Sequence, residues 1–446
     1  MGKLMVGASK VCISPTPDMF PIEGRWSPMP QEGIYFDLYA RGLAVSDGET
    51  KVLFLTLETG MLGDEFKKQV SDQYGLPVEN IMVISTHNHG GPNSPAMDPI
   101  VRKGAEDAAR IAFETMRPAR MGYDEGKSYI NVNRDQEVEE DGLWAHGEAY
   151  DKPSDKTAAL LRFDDEVGKT IAVLMNFACH ATLSLGAVDS DGKAKVCADF
   201  PGFACDFLEK RYGNGAVVLW TSGAAGNQSP IGLYRNLEHY LGNENNTQQP
   251  TPDGWTYHYT QYMGERHAVE CNKTLRNIVC DQSDVVVKAA QCDALFDGQD
   301  GIHPERHFLV TAFVAQNTVV PLKFMAPDLL DGNKIKDRAA FLCDPVPNGK
   351  KIPCLTQMFR IGDVYILSAA AELYNEIATY CIENASVEHL FVITNTAGHD
   401  GVKTGYVQSD NAAKDKSYQH FAQVHPGNCN DIMLGAMNEL LKKVNE

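Results

Sequence analysis

Six short, almost purely apolar runs constrain this chain most: Val52–Leu57, Ile81–Thr86, Ile171–Ala178, Ala216–Thr221, Val364–Ser368 and Leu390–Thr394. Continuous runs of this length are expected of strands covered on both faces rather than of half-solvated ones. Between and around them lie stretches of helical patterning: Gly104–Met116, Pro201–Arg211, Gly264–Val279, Ala370–Ile382 and Asp431–Val444. Asp199 followed by Pro201 makes a suitable start for the second of these. Strands alternating with helices predict an α/β fold, a mixed β-sheet core covered by helices. No internal repeat is present. Asp135–Lys156, acidic and polar, reads as a long loop, as does Gly242–Gly254, which is rich in Asn, Gln and Pro and precedes Trp255, Tyr257 and Tyr259. Such loops are often lids in compact domains. Pro327–Pro353 reads as a third excursion or a subdomain edge. None marks a domain boundary, so a single large domain over residues 1–446 is expected.

Composition removes several function classes. With 43% hydrophobic and 22% charged residues the chain is an ordinary globular protein. A formal net charge of −19 opposes both nucleic-acid binding and stable docking on an anionic membrane. No stretch approaches the roughly 20 apolar residues that a membrane span needs. The start, Met1 to Pro17, has neither a continuous apolar segment nor a cleavage site, and Val6 stands where a myristoylation signal requires Ser or Thr. The eleven cysteines are scattered and lack close pairing. Reduced thiols and a cytoplasmic location are therefore expected.

Several apolar runs end in residues suited to chemistry. Ile81–Ile84 leads into Ser85-Thr86-His87-Asn88-His89-Gly90-Gly91-Pro92. Two imidazoles at the C-terminal end of a strand, beside glycines that admit a ligand close to the backbone, suit a metal site. The alternative is a polar strand end with exposed histidines. Met175–Ala178 likewise ends in Cys179-His180, where a partly buried histidine satisfied by a carbonyl is the competing reading. Ala216–Thr221 opens into the small-residue turn Ser222–Pro230, which is neither a Walker loop nor a nucleophile elbow. Glu372 follows Ile366–Ala371 near the expected start of a helix, where it either complements the helix dipole or serves a site.

The order of these motifs resembles the catalytic domain of the neutral/alkaline non-lysosomal ceramidases. The resemblance rests on His-x-His-Gly-Gly-Pro at 87–92, Asn-x-Asn-Arg at 131–134, Phe-Ala-x-His at 177–180, Gly-Asn-x-Ser-Pro at 226–230, the strand–Ala–Glu at 372 and Gly-Tyr-Val at 405–407. Val6–Pro15 and Gly33–Val45 are similar to the family's opening segment. The resemblance implies one zinc ion per chain held by His87, His180, Glu372 and Tyr406. It implies that His89 contacts the scissile group, that Arg134 and Tyr418 belong to the reaction centre, and that Ser229 and Asn227 lie in the substrate-holding loop. Two departures stand out. The family's Ser-Pro-Asn is here Ser229-Pro230-Ile231, and a signal peptide and an immunoglobulin-like C-terminal domain are not expected. A zinc-dependent hydrolase of an amide or ester of a small or polar acyl compound follows, rather than one of membrane ceramide. The rivals are a lactonase or esterase of a sugar-derived metabolite, a zinc-dependent isomerase or lyase, and a non-catalytic binding protein. Neither the substrate nor the oligomeric state follows from the sequence.

Overall fold

The continuous apolar runs are strands whose alternate side chains enter two different cores. Val52 and Phe54 join one cluster, together with Met82 and Ile84. Leu53, Leu55 and Leu57 join another, with Ile81 and Val83. Both faces are covered, so the run is apolar but for the buried Thr56. The computed structural model describes residues 2–24, 29–59, 62–92, 94–138, 143–233, 255–298, 312–315, 318–321, 350–402, 404–415, 417, 419, 424–425 and 427–446.

An eight-stranded sheet forms the centre. From edge to edge it runs Val217–Ser222, Thr170–Phe177, Thr157–Asp165, Arg117–Lys127, Met5–Cys12, Tyr39–Ser46, Lys51–Leu57 and Ile81–Ser85. The pair at each edge is parallel and the rest are antiparallel. A second sheet, Val287–Asp297, Lys351–Ile361, Val364–Ala369 and His389–Ile393, lies face to face with it. Phe54 and Phe359 meet edge to face across the interface, with ring centroids 5.0 Å apart. Helices Asp64–Tyr74 and Asp98–Glu114 cover one part of the large sheet's outer face, and Asp199–Tyr212 and Trp255–Leu275 cover another. Asn375–Glu383 and Cys429–Asn445 cover the outer face of the second sheet. The result is a helix–sheet–sheet–helix sandwich, the mixed α/β architecture expected from the sequence.

The two sheets are tied together where three strands end. Thr394 N donates to Ser222 O at 2.8 Å, Ser85 N to Asn395 O at 2.9 Å, and Ala397 N to Val83 O at 2.8 Å. The segments after Ser85, Phe177, Ser222 and Ala369 leave the sheets as loops, and they carry the candidate chemistry.

The structure corrects three local expectations. The helix expected over Ala370–Ile382 begins only at Asn375, and Glu372 lies instead in a two-residue strand paired with Tyr406–Val407. The ladder satisfies these backbone groups directly: Glu372 N donates to Gly405 O and Tyr374 N to Val407 O. Much of Asp135–Lys156 is a hairpin, not a loop, with Asn131–Val138 antiparallel to Leu143–Ala149. Polarity misled there, because buried Asp135 accepts from Tyr374 and Gln419, which are distant in the chain. The helix expected from Gly264 starts at Trp255, and Tyr257 is one of its buried residues. Gly242–Gly254 and residues 327–349 lie outside the described residues, while Lys351–Ile361 opens the next strand. Among the described residues the ten cysteines are all free, and no helix is long and apolar enough to cross a membrane.

Candidate metal centre

His87 follows the last residue of its strand by two positions and sits at φ +56°, in the left-handed region that non-glycine residues rarely occupy. The turn is held on both sides. His87 N donates to Ser85 Oγ at 2.9 Å, and Ser85 Oγ donates to Thr59 O at 2.8 Å. Asn88, fully buried between the two histidines, satisfies three backbone groups: it donates to Glu58 O at 3.1 Å and Cys197 O at 2.8 Å, and accepts from Gly90 N at 2.7 Å. The middle residue of the motif therefore anchors the turn.

His180 is brought in by the loop after Thr170–Phe177, a strand towards the opposite edge of the same sheet. Its Nδ1 lies 2.5 Å from Ala225 O and 3.2 Å from Gln228 O. A proton on Nδ1 donated to these carbonyls leaves Nε2 as the free lone pair, as for histidines that bind metals. Nε2 faces Glu372 Oε2 at 3.0 Å, and His87 Nε2 faces the same oxygen at 3.4 Å. The ligand atoms of His87, His180 and Glu372 all lie within 4.8 Å of one another.

The protonation states suit a cation. Burial, together with the charge of Arg134, pushes the His180 imidazolium toward deprotonation, which outweighs Glu372. Burial alone would raise the Glu372 carboxyl, but His87, the hydrogen bond from His180 and that from Tyr406 hold it well below the usual carboxylate range. Two imidazoles and a carboxylate form a donor set typical of zinc. Bonds of about 2.0–2.1 Å in a tetrahedron put ligand atoms about 3.3 Å apart, close to the separations found here.

Tyr406 stands beside this triad. It is the register partner of Glu372, and its ring stacks toward His180 with centroids 6.3 Å apart. Arg134 Nη2 donates to Tyr406 Oη at 3.1 Å and to Gly226 O at 2.6 Å. His89 packs edge to face on His87, centroids 4.9 Å apart, and lies 6.2 Å from His180. Ser229 is 1% exposed in the short strand Gln228–Pro230, and its hydroxyl has no hydrogen-bond partner among the described residues.

Not every expected residue points to the centre. The Asn227 side chain is engaged by Glu376, Asn375 and Gln228, and Asn227 reaches the arginine through its backbone, its carbonyl accepting from Arg134 N. Tyr418 lies outside the described residues. Asn88 and the carbonyls of Ala225 and Gly226 were not singled out from the sequence. Asn88 stood inside a motif already noted, but its partners Glu58 and Cys197 are distant in the chain. A carbonyl carries no sequence signal at all.

Comparison with known proteins bears on the fold and on the first half of the chain. Residues 27–231 match the family model described as neutral/alkaline non-lysosomal ceramidase, N-terminal. The chain is 25% identical over 203 residues to neutral ceramidases of Drosophila pseudoobscura pseudoobscura and Drosophila melanogaster, covering 40% of this chain and 28% of each relative. It is 25% identical over 211 residues to neutral ceramidase A of Dictyostelium discoideum, covering 42% and 29%. The chain therefore spans less than a third of the length of these relatives. A solved structure of a ceramidase complexed with C2 superposes with a TM-score of 0.71 at 17% identity, over 100% of this chain and 76% of that one. Neutral ceramidase from Pseudomonas aeruginosa superposes at 0.66 and 16% identity, over 100% and 74%. These two likenesses concern the fold. Residues 27–231 are thus similar to the N-terminal part of the neutral/alkaline non-lysosomal ceramidases, and the whole chain shares the fold of the two solved ceramidases.

Proposed function

We propose that this protein is a zinc-dependent hydrolase that cleaves an amide or ester of a small or polar acyl compound. The observation that carries the proposal is the convergence of His87, His180 and Glu372, each from a different strand end, on one small volume. Tyr406 is the fourth candidate ligand. When bound, a divalent cation at these residues supplies Lewis acidity and makes a water acidic enough to be deprotonated near neutral pH.

The chain's own groups take the remaining parts. Water adds to the acyl carbon, the carbon–nitrogen or carbon–oxygen bond breaks, and the leaving group departs with a proton. Arg134, braced between Gly226 O and Tyr406 Oη, is placed to bear the negative charge that grows on the acyl oxygen. His89, against His87, is suited to pass the proton to the leaving group. The Ser229 hydroxyl, buried and unsatisfied among the described residues, has hydrogen-bonding capacity to spare for substrate. Among the described residues no general base contacts it, so it orients rather than attacks.

Membrane ceramide is the less suited substrate. A net charge of −19 repels an anionic bilayer. The relatives named as neutral ceramidases make an amide the first substrate to try. The deciding experiment combines elemental analysis of the purified protein with a panel of N-acyl amides, simple esters and sugar lactones. About one zinc per chain with hydrolysis of any of these supports the reading. Zinc without hydrolysis of any acyl compound favours the isomerase or lyase, and no metal after incubation with zinc overturns the mechanism.

A further inference from the structure

We propose that Tyr374 and Asp135 are a positioning pair for Arg134, holding its guanidinium against Tyr406 and the Gly226 carbonyl. The strand carrying Arg134 does not by itself fix that side chain. Its pairing with Leu143–Ala149 slips in register between Asn133 and Asp135, so Arg134 falls in an irregular step of the ladder. Its N–H donates to Asn227 O instead, at 2.9 Å. A bulge of this kind re-aims a side chain, but it also removes the regular ladder that would hold it.

The anchoring comes from the next residue. Asp135 is 2% exposed, and both its oxygens are engaged. Tyr374 Oη donates to Oδ2 at 2.6 Å, and Gln419 Nε2 donates to Oδ1 at 3.1 Å. Gln419 Nε2 also lies 3.0 Å from Gly226 O, the carbonyl that accepts from Arg134. Tyr374 belongs to the other side of the centre. It follows Glu372 by two residues, and its N–H donates to the carbonyl of Val407, the residue after Tyr406. One phenolic hydroxyl thus joins the strand of Arg134 to the short ladder that presents Glu372 and Tyr406. Burial pushes the Asp135 carboxyl up, opposed by the Tyr374 hydrogen bond and by the Arg134 charge. Charge-assisted bonds made in such a setting are short and directional.

The kinetic part of this inference rests on the hydrolase reading; the structural part does not. The test is Tyr374→Phe, which removes a single oxygen and keeps the ring that fills the core. Zinc content should be unchanged, because no candidate ligand is touched. With the best amide or ester, kcat should fall about 10–100-fold with KM little altered, as for loss of an outer partner that orients a reacting group. In an Arg134→Ala background the same change should cost less than about twofold, because the group being positioned is gone. The crystal structure of Tyr374→Phe should show Arg134 beyond hydrogen-bond distance of Tyr406 Oη. Full multiplicative loss in the Arg134→Ala background, or an Arg134 that keeps both contacts in the Tyr374→Phe crystal, overturns the inference. If the wild-type chain hydrolyses no acyl compound, the hydrolase reading has failed, and the crystal structure alone decides on the positioning pair.

Discussion

Glu372 and Tyr406 are register partners in a parallel ladder only two residues long, and this pairing brings a carboxylate and a phenol to the same edge of the centre. Neither residue lies on a long element. Each follows a loop that leaves the second sheet, and their backbones are joined by Glu372 N donating to Gly405 O and Tyr374 N to Val407 O. The ladder converts two distant stretches of chain into one wall.

The first expectation concerns the metal. His87→Ala or His180→Ala removes one nitrogen donor from a set of three close-packed ligand atoms. Zinc per chain, measured by elemental analysis after dialysis, should fall from about one toward zero. Hydrolysis should drop at least about 100-fold, the upper end of what even an outer-shell loss costs. A variant that keeps a full equivalent of zinc removes that histidine from the ligand set.

Arg134→Ala should separate binding from chemistry. The guanidinium touches Tyr406 Oη and Gly226 O and is not itself a ligand candidate, so zinc should stay. The loss should appear in kcat, by about 10²–10³-fold, the usual magnitude for a preorganised donor at a developing oxyanion. Unchanged kcat would show that its assignment is wrong.

Asn88→Ala tests the anchor of the histidine turn. The substitution leaves Glu58 O, Cys197 O and Gly90 N without their side-chain partner in a fully buried place. Each such group costs about 1–3 kcal/mol, and partial relaxation should leave a net loss of about 3 kcal/mol in denaturant unfolding of the metal-free protein. Zinc affinity should weaken about 10–100-fold alongside, since His87 is held at a strained φ by this turn. An unfolding midpoint equal to wild type would count against this role.

Ser229→Ala should do the reverse. The hydroxyl is buried and has no partner among the described residues, so its removal should leave stability unchanged or slightly higher. If it orients substrate, KM should rise about 5–10-fold, the loss of about one neutral hydrogen bond. Equal KM with every hydrolysed substrate would take Ser229 out of the binding site.

A pH dependence arises away from the centre. His399 bridges Asp64, 3.0 Å from its Nδ1, and Asp293, 2.7 Å from its Nε2, across three segments of chain. Burial opposes its charge, but the hydrogen bonds and charges of Asp293 and Asp64 outweigh it and raise the imidazole above its ordinary 6.5. A raised folded value means that the protonated form is favoured in the fold. The contribution is complete below about 6.5 and is lost as pH rises through the folded value. Wild type should therefore lose stability relative to His399→Gln as pH rises above about 6.5, when urea midpoints are compared. Parallel midpoints over that range would exclude the bridge as a source of stability.

Much of the fold was legible because it depended on local patterning. Runs such as Ile81–Ser85 and Val217–Ser222 are buried on both faces, and a strand in that position is predominantly apolar. The motifs at His87 and His180 were visible because they follow strand ends, and that at Arg134 because the motifs occur in a recognisable order. Asn131–Val138 was missed because its buried polar residues find partners in distant loops, which local composition does not encode. Glu372 was misread for a related reason. Ala370 to Ile382 has the composition of a helix, but the ladder with Tyr406 holds Glu372 and Leu373 extended until the helix begins at Asn375.

The sequence alone determined the strand-rich α/β class and the acidic character, and its resemblance to a family supplied the candidate cation ligands. Only the tertiary structure decided that His87, His180 and Glu372 meet, that Tyr406 faces Glu372, and that Asn227 turns its side chain toward Glu376. The physical reason is that apolar periodicity is a property of neighbouring residues along the chain. The meeting of donor atoms depends instead on how two sheets pack, and on the few backbone hydrogen bonds that close their ends together.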